Sequence, residues 1–449
     1  MRVAALAWLA IAIVATSVAQ GWPMGLGGNS ARDGRSSEIG PTSNRLEWEH
    51  PGSTLAPLAT CDGNLFAAVY VTNIQDPFNG ASLQVRDIRN GTLVRTIACP
   101  IDDQTRDWRP NISAFKDGRI YASRSGNSWA TFLYCYNASN GQIVWRSEIR
   151  VLEELGESAA FAPDGDLLVN TEFGLAKLNR FNGTTVWLME RDSAAPGSRA
   201  AAVSGNRAYM IESGAGGDRL TSFDPITGQR WRAAIIGSSS TFRASPVAVG
   251  DLAYVYQNTG VLISLWDEGT SMIEFWRRPV AALSGACPVV DAEGMVYAYG
   301  SNGKIEKIHR WTGEVLASSP YMGAWGRPRM AIDRAGRVYL AHGLDSEFRV
   351  AAFDSSLNML WSRAFQGGFA AGPALCSGGL MVVVGQSAMG FRSSTPGDAN
   401  GDGCTDDLDL AIVLAAFGSS GPPEADFDQN GIIDDADLAV VLAAFGLGC

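Results

Sequence analysis

Two stretches near the C-terminus hold the residues best suited to chemistry. Asp398, Asn400, Asp402, Asp406 and Asp409 place oxygen donors at positions 1, 3, 5, 9 and 12 of a twelve-residue loop. Position 6 is Gly403, and position 7 is Cys404, which offers its backbone carbonyl. Twenty-eight residues later Asp426, Asp428, Asn430, Asp434 and Asp437 repeat the pattern, with Gly431 at position 6 and Ile432 at position 7. Alternate oxygen donors around a sharp glycine turn suit a hard cation that takes six to eight ligands. Two Ca²⁺ sites are therefore expected. Position 12 is Asp where a longer Glu would reach further, so tight affinity does not follow.

Each loop runs into the same helix start. Leu410, Val413, Leu414 and Phe417 form one apolar stripe, and Leu438, Val441, Leu442 and Phe445 form its twin. Gly418 and Gly446 are suited to ending the helices. Neither helix is stable alone at this length, so the two are expected to pack on each other. Asp398 to Cys449 carries 11 acids and no bases, while the rest of the chain balances 35 against 35. The whole net charge of −11 sits in this segment. A solvated acidic tail would not repeat five matched donor positions and two matched stripes. Cys404 and Cys449 stand near its two ends, and a disulfide between them is expected. Over residues 397–449 the duplicated unit resembles a type I dockerin, with EF-hand-type loops. That resemblance implies a protein receptor of the cohesin kind. Loop positions 10 and 11 are Asp407-Leu408 and Asp435-Ala436, in place of the Ser-Thr type of pair that helps choose the partner in well-studied members.

Chemistry elsewhere is sparse. His50, His309 and His342 are the only histidines, with no zinc-site spacing. Gly385 to Gly390 lacks the spacing of a nucleophile elbow and lies on a hairpin. No catalytic residue is expected. Asp103, Arg106-Asp107-Trp108-Arg109, Trp325, Arg327-Pro328-Arg329, and Arg199, Arg243 and Arg329 in comparable places precede hairpins. Such a ring suits an anionic or sugar ligand, or salt bridges between neighbouring units. Both readings stand.

The elements that position these residues come from a repeat. A strand, a polar turn usually holding Gly, and a strand often carrying Trp recur every 41 to 50 residues, at Gly91, Gly141, Gly183, Gly228, Gly269, Gly313 and Asn358. That period suits a four-stranded blade. Hairpins such as Phe115 to Tyr121 and Asp333 to Tyr339 precede the turns, centred near Asn64, Asp117, Asp164, Gly205, Gly250, Glu293, Ala335 and Ser377. Eight hairpins meet seven signature turns. The missing strand is at the other end, at Leu46-Glu47-Trp48. An eight-bladed β-propeller over residues 45–394, closed by its N-terminal strand, is expected; seven blades is the alternative. Trp48, Trp145, Trp187, Trp231 and Trp361 are expected between blades, with Val94-Arg95 and Leu316-Ala317 in the copies that lack Trp. Trp276 lies seven residues after Gly269, which leaves its equivalence open.

The copies resemble pyrroloquinoline-quinone-type β-propeller repeats, whose signature is Ala-x-Asp-x-x-Thr-Gly-x-x-x-Trp. Thr221 to Trp231 matches its Asp224, Thr227 and Gly228, with Ser222 for Ala and the Trp one residue early. Gly21-Trp22-Pro23-Met24 and Arg32-Asp33-Gly34-Arg35-Ser36, in a lead-in over 20–44, resemble the start of that superfamily. Its quinone dehydrogenases use a vicinal disulfide, a stacked Trp and an axial Ca²⁺. This chain has no adjacent cysteines, so no quinone site is expected.

Met1 to Ala19 reads as a cleaved secretory signal: Arg2, an apolar run from Ala4 to Ala15, then Ser17-Val18-Ala19. No later segment is apolar and long enough to span a membrane. The seven cysteines fit neither a dense disulfide scaffold nor a metal knuckle. A neutral body argues against nucleic-acid binding. The expectation is a secreted or cell-surface protein, with the periplasm as alternative. Its propeller recognises a glycan or a protein, and its tail attaches it to a receptor. A quinoprotein oxidoreductase or polysaccharide-degradation enzyme, and an envelope assembly scaffold, are the alternatives.

Overall fold

The computed structural model describes residues 22–24, 27–51, 60–73, 75–126, 129–153, 159–191, 200–214, 216–237, 245–257, 259–282, 287–323, 329–344, 347–366, 370–376, 379–384, 387–392, 395–400, 404–420, 425–427 and 431–447. The expected signal segment, together with Arg199, Arg243, Trp325, Arg327 and Pro328, lies outside the described residues. No helix among the described residues is long and apolar enough to cross a membrane.

Turn chemistry and strand burial together build each repeat. In the second repeat the strands Asn111–Lys116, Arg119–Ser123, Thr131–Asn137 and Ile143–Val151 pair antiparallel in that order. The first three are almost continuously buried, because both faces of their sheet are covered by neighbouring blades. The fourth exposes about half its residues. Turn aspartates fix the first hairpins. Asp291 accepts from Met295 N–H at 2.7 Å and from the Tyr297 hydroxyl at 3.1 Å. Asp333 does the same for Arg337 N–H at 2.8 Å and Tyr339 at 3.2 Å.

Eight such four-stranded sheets form a ring; in blades 1 to 7 the first strand lies innermost, and in blade 8 Ala370–Cys376 does. Leu46–Pro51 pairs with Ser387–Arg392 and completes the eighth blade, as expected. A disulfide joins Cys61 on the inner strand of blade 1 to Cys376 on the inner strand of blade 8. The seam is thus closed once by a ladder and once by a covalent bond. Cys99, Cys135 and Cys287 are not in a disulfide.

The interblade joints follow one register. Trp145 packs on the turn of blade 3, its indole N–H donating to Arg180 O at 2.9 Å. Gly183 of that turn has φ 74°, and a Cβ there would lie 2.5 Å from the ring. Trp48, Trp187 and Trp276 make the same bond to Ile88, Ile226 and Arg310. Trp276 is therefore a full equivalent. Trp231 is not. Ladder pairing places Arg232 opposite Ser222, the joint position, and leaves Trp231 at a bulge. Arg232 instead binds Asp267 of blade 5 at 2.6 Å. Arg95 and Ala317 fill the joint in the two other copies without Trp.

The lead-in threads the axis. Trp22 O accepts from Cys61 N at 2.9 Å and Pro23 O from Phe115 N at 2.7 Å. Ser30 accepts from Phe161 N through its hydroxyl and from Val203 N through its carbonyl. Ala31, Asp33 and Gly34 carbonyls accept from Ala248, Val290 and Ile332 at 2.7–2.9 Å. Inner strands present unpaired backbone edges to the axis, and among the described residues one segment satisfies an N–H on seven of them.

The tail forms helices α1 (Asp407–Ala416) and α2 (Asp435–Ala444). Their N-caps, Asp406 and Asp434, make identical capping boxes with Asp409 and Asp437. The expected stripe is displaced. Val413 and Val441 are buried, but Leu414, Phe417, Leu442 and Phe445 are exposed. The seam runs through Asp409, Val413 and Ala416, about one residue round the helix, because the loop carboxylates turn inward and carry the seam with them.

Replacing Cys61 and Cys376 by Ser should lower stability by about 2–5 kcal/mol, since the bond closes a very long loop. Guanidinium denaturation followed by near-ultraviolet circular dichroism checks this; an unchanged midpoint would show that the strand ladder alone holds the seam.

Candidate functional site

The two tail loops are held by their position-12 carboxylates. Asp409, fully buried, accepts from Asn400 N and Asp406 N, both at 2.8 Å. Asp437, also fully buried, accepts from Phe427 N at 2.6 Å and Asp434 N at 3.0 Å. Asp426 accepts from Gly431 N at 2.9 Å, across the φ of 87° that the position-6 glycine supplies. The position-8 residues cross between the halves. Thr405 pairs with Gly446 and Leu447, and Ile433 with Gly418 and Ser419. Positions 9 and 12 are thus tied together in both loops, and position 1 is tied to the glycine turn in the second. Asp402, Gly403, Asp428 and Asn430 lie outside the described residues. Cys404 is in a disulfide, and its expected partner, Cys449, also lies outside them.

The rim residues between blades 1 and 2 are largely committed to their own loops. Asp107 is buried and accepts from Asp102 N and Asp103 N. Arg106 approaches Asp103 at 3.8 Å and lies over the Trp129 ring. Arg109 lies over Trp108, and partial burial pulls its pKa down. Sequence reasoning missed Arg124, whose guanidinium donates to the carbonyls of Pro77, Phe78, Cys99 and Trp108 and ties these loops together.

On the axis, Trp22, Arg32, Cys287, Arg329, Met330 and Pro373 border a void of about 20 Å³, room for one water. Arg32 is buried, and its Nε donates to Ala201 O at 2.9 Å. Glu153, fully buried, receives the Ser113 hydroxyl on its carboxyl. Its backbone carbonyl accepts from Asn111 at 2.6 Å and Ser125 at 2.9 Å. Burial pushes its pKa up to about 8, with Arg32 pulling the other way. A wider hollow on the turn side holds Arg35, Ser36, Asp291, Glu293 and Arg334. There Asp291 holds its own turn and Arg35 pairs with Asp33.

The histidines take structural places. His309 Nδ1 lies 3.1 Å from the Thr312 hydroxyl in its turn. His342 is buried beside Tyr299, and burial lowers its pKa to about 4.

A family model described as outer membrane protein assembly factor BamB matches residues 80–319, more than half of the chain. No curated protein matches it. Among solved structures, BamB from Moraxella catarrhalis has a TM-score of 0.53 at 14% identity, covering 78% of this chain and 99% of that one. Quinohemoprotein alcohol dehydrogenase from Comamonas testosteroni has a TM-score of 0.56 at 10% identity, covering 82% and 77%. A europium-containing methanol dehydrogenase has 0.57 at 12%, covering 96% and 97%. At these identities the likeness is one of fold.

Glu153 generates a pH prediction. Its folded pKa of about 8 exceeds the ordinary value of 4.5, so the native state holds an extra proton between them. Its contribution to stability is present below about pH 4.5 and is lost as pH rises through 8. Glu153→Gln should flatten that slope and gain relative to the parent above pH 8. Denaturation midpoints at pH 5, 7 and 9 read the effect; parallel pH profiles would contradict it.

Proposed function

The chain belongs to the family described as outer membrane protein assembly factor BamB, and from that membership we propose that it is a non-catalytic recognition propeller carrying a calcium-dependent attachment module. The observation that carries the first half is the filled axis. The related quinone enzymes are expected to hold their cofactor around this axis. Here the described axis is taken up by the chain's own lead-in, with room beside it for about one water. The lead-in's bonds to the inner strands support a reading without a quinone on this axis.

The second half rests on the duplicated tail. Asp398, Asn400, Asp402, Asp406 and Asp409 would hold one Ca²⁺, with the Cys404 carbonyl. Asp426, Asp428, Asn430, Asp434 and Asp437 would hold the other, with the Ile432 carbonyl. The inward turn of Asp409 and Asp437 supports this reading. So do the matched capping boxes. Bound Ca²⁺ would cross-link each loop and so fix the two helices as one adaptor surface for a protein receptor. The leader reading and the disulfides favour export, to the cell surface or the periplasm. The family description gives an envelope assembly scaffold support as the second reading.

Calorimetric titration of the mature chain with Ca²⁺ tests the proposal. Two sites are expected, and Asp398→Ala with Asp426→Ala should abolish both. The helical signal of the tail should fall in those variants and in chelator while the propeller stays folded. No binding by the parent chain would overturn the attachment reading.

A further inference from the structure

The tail helices are apolar on every side beyond their first turn. Apart from the leading aspartates, neither α1 nor α2 holds a charged or amide side chain. A helix apolar all round belongs in an interior. Here the module's small core covers one side of each, through Val413 and Val441. Another side of α1 carries Leu408, Ala411, Leu414 and Ala415, all exposed, at the three- and four-residue spacing of one helix face. The α2 helix repeats that row in the same register, with Leu442 in the place of Leu414. Leu414 is 54% exposed and Leu442 57%, and the C-caps Phe417 and Phe445 follow at 44% and 47%. Large apolar side chains left in water at matched positions, twice, mark a surface that another surface covers. The alanines between them let the covering element approach closely.

The border of these rows selects the partner. Asp398 to Cys449 holds 11 acids and no base. Asp407 and Asp435 stand exposed at the head of the two rows. Two bound Ca²⁺ would leave most of that negative charge in place. A second copy of the module brings the same sign, as does an anionic membrane surface, and both are repelled. A protein surface with Lys or Arg around an apolar groove matches on both counts. Its charges are steered toward the carboxylates, and its groove takes the leucines out of water.

We propose that the exposed rows of α1 and α2 dock on a protein whose apolar groove is bordered by basic side chains. The inference rests on the reading of the tail as an attachment module and states the chemistry of its receptor.

A synthetic amphipathic helix built of Leu and Lys presents that chemistry as a defined probe, with its Leu and Glu counterpart as the charge control. Fluorescence anisotropy of the labelled peptides with the full mature chain in Ca²⁺ reads the binding. The Leu/Lys peptide should bind about tenfold or more tighter than the Leu/Glu peptide, and added salt should narrow that gap. Leu414→Gln with Leu442→Gln leaves every charge in place and should weaken Leu/Lys binding by about tenfold or more. Leu414→Met with Leu442→Met should keep most of it. Circular dichroism of each variant checks the fold. No binding of the Leu/Lys peptide, equal binding of the two peptides, or equal binding by the Gln variant would overturn the proposal. So would concentration-dependent self-association that the Gln variant loses, which would assign the rows to a contact between copies. Ca²⁺ titration of the same samples separates the two readings. Ca²⁺ binding without leucine-dependent peptide binding sinks this inference alone, and the converse sinks the calcium reading alone.

Discussion

The joint between neighbouring blades is the interaction on which this ring depends. A tryptophan on an outer strand buries its ring against the next blade's turn and donates its N–H to that turn's carbonyl. One side chain thus removes apolar area from water and satisfies a polar group at the same place. The turn must leave room, which is why glycine with positive φ sits under the ring. Where the turn residue is Leu357, itself at φ 66°, the partner shrinks to Ala317. Where tryptophan is absent, Arg95 or Arg232 reaches across with hydrogen bonds or an ion pair instead. The same register position thus serves the joint with three chemistries: a tryptophan, an arginine or a small alanine beside a larger turn residue.

The axis poses the opposite problem. Eight inner strands converge with backbone groups that have no ladder partner on that side. An open shaft would leave these groups to water, as a cofactor pocket requires. The lead-in takes them up instead. It connects seven blades that are otherwise joined only to their immediate neighbours, and the Cys61–Cys376 bond adds a link across the seam. Stability that depends on the axis being filled is stability that a central ligand site would forfeit.

Period and turn chemistry made the architecture legible: eight hairpins against seven turns already required the N-terminal strand in the last blade. The joints were legible only in part. Counting residues from the turn glycine set Trp231 in a joint and left Trp276 open. Strand register moved the first out and settled the second. The blade 4 hairpin keeps the usual six residues, so Trp231, one residue early, falls on the bulge that every outer strand makes there. The blade 5 hairpin is two residues longer. Count fails where a ladder lengthens, and no local signal marks a bulge. The axial role of residues 22–24 and 27–41 was not legible, since most of the bonds to the inner strands go to backbone carbonyls, which carry no side-chain signature. The seam disulfide had a signal in hindsight. Cys61 and Cys376 lie on the first and last inner strands, which a closed ring makes adjacent.

The tail shows what a buried charge demands. Asp409 and Asp437 are fully removed from solvent, and each accepts from backbone N–H groups of its own loop. A buried carboxylate whose charge is not fully compensated costs several kcal/mol. Asp398 to Cys449 contains no Lys or Arg to supply the difference. The apolar core of the module is small, built on Ala399, Val413, Ala425, Ile433 and Val441. A core of that size offsets little of such a cost. Eleven acids without a base within 52 residues therefore favour a cation brought from solution. A cation bound by the folded loops and not by the unfolded chain stabilises the module in proportion to the logarithm of its concentration. The inward turn of these two carboxylates, which moved the helical seam away from Leu414 and Leu442, is the physical case for the proposed Ca²⁺.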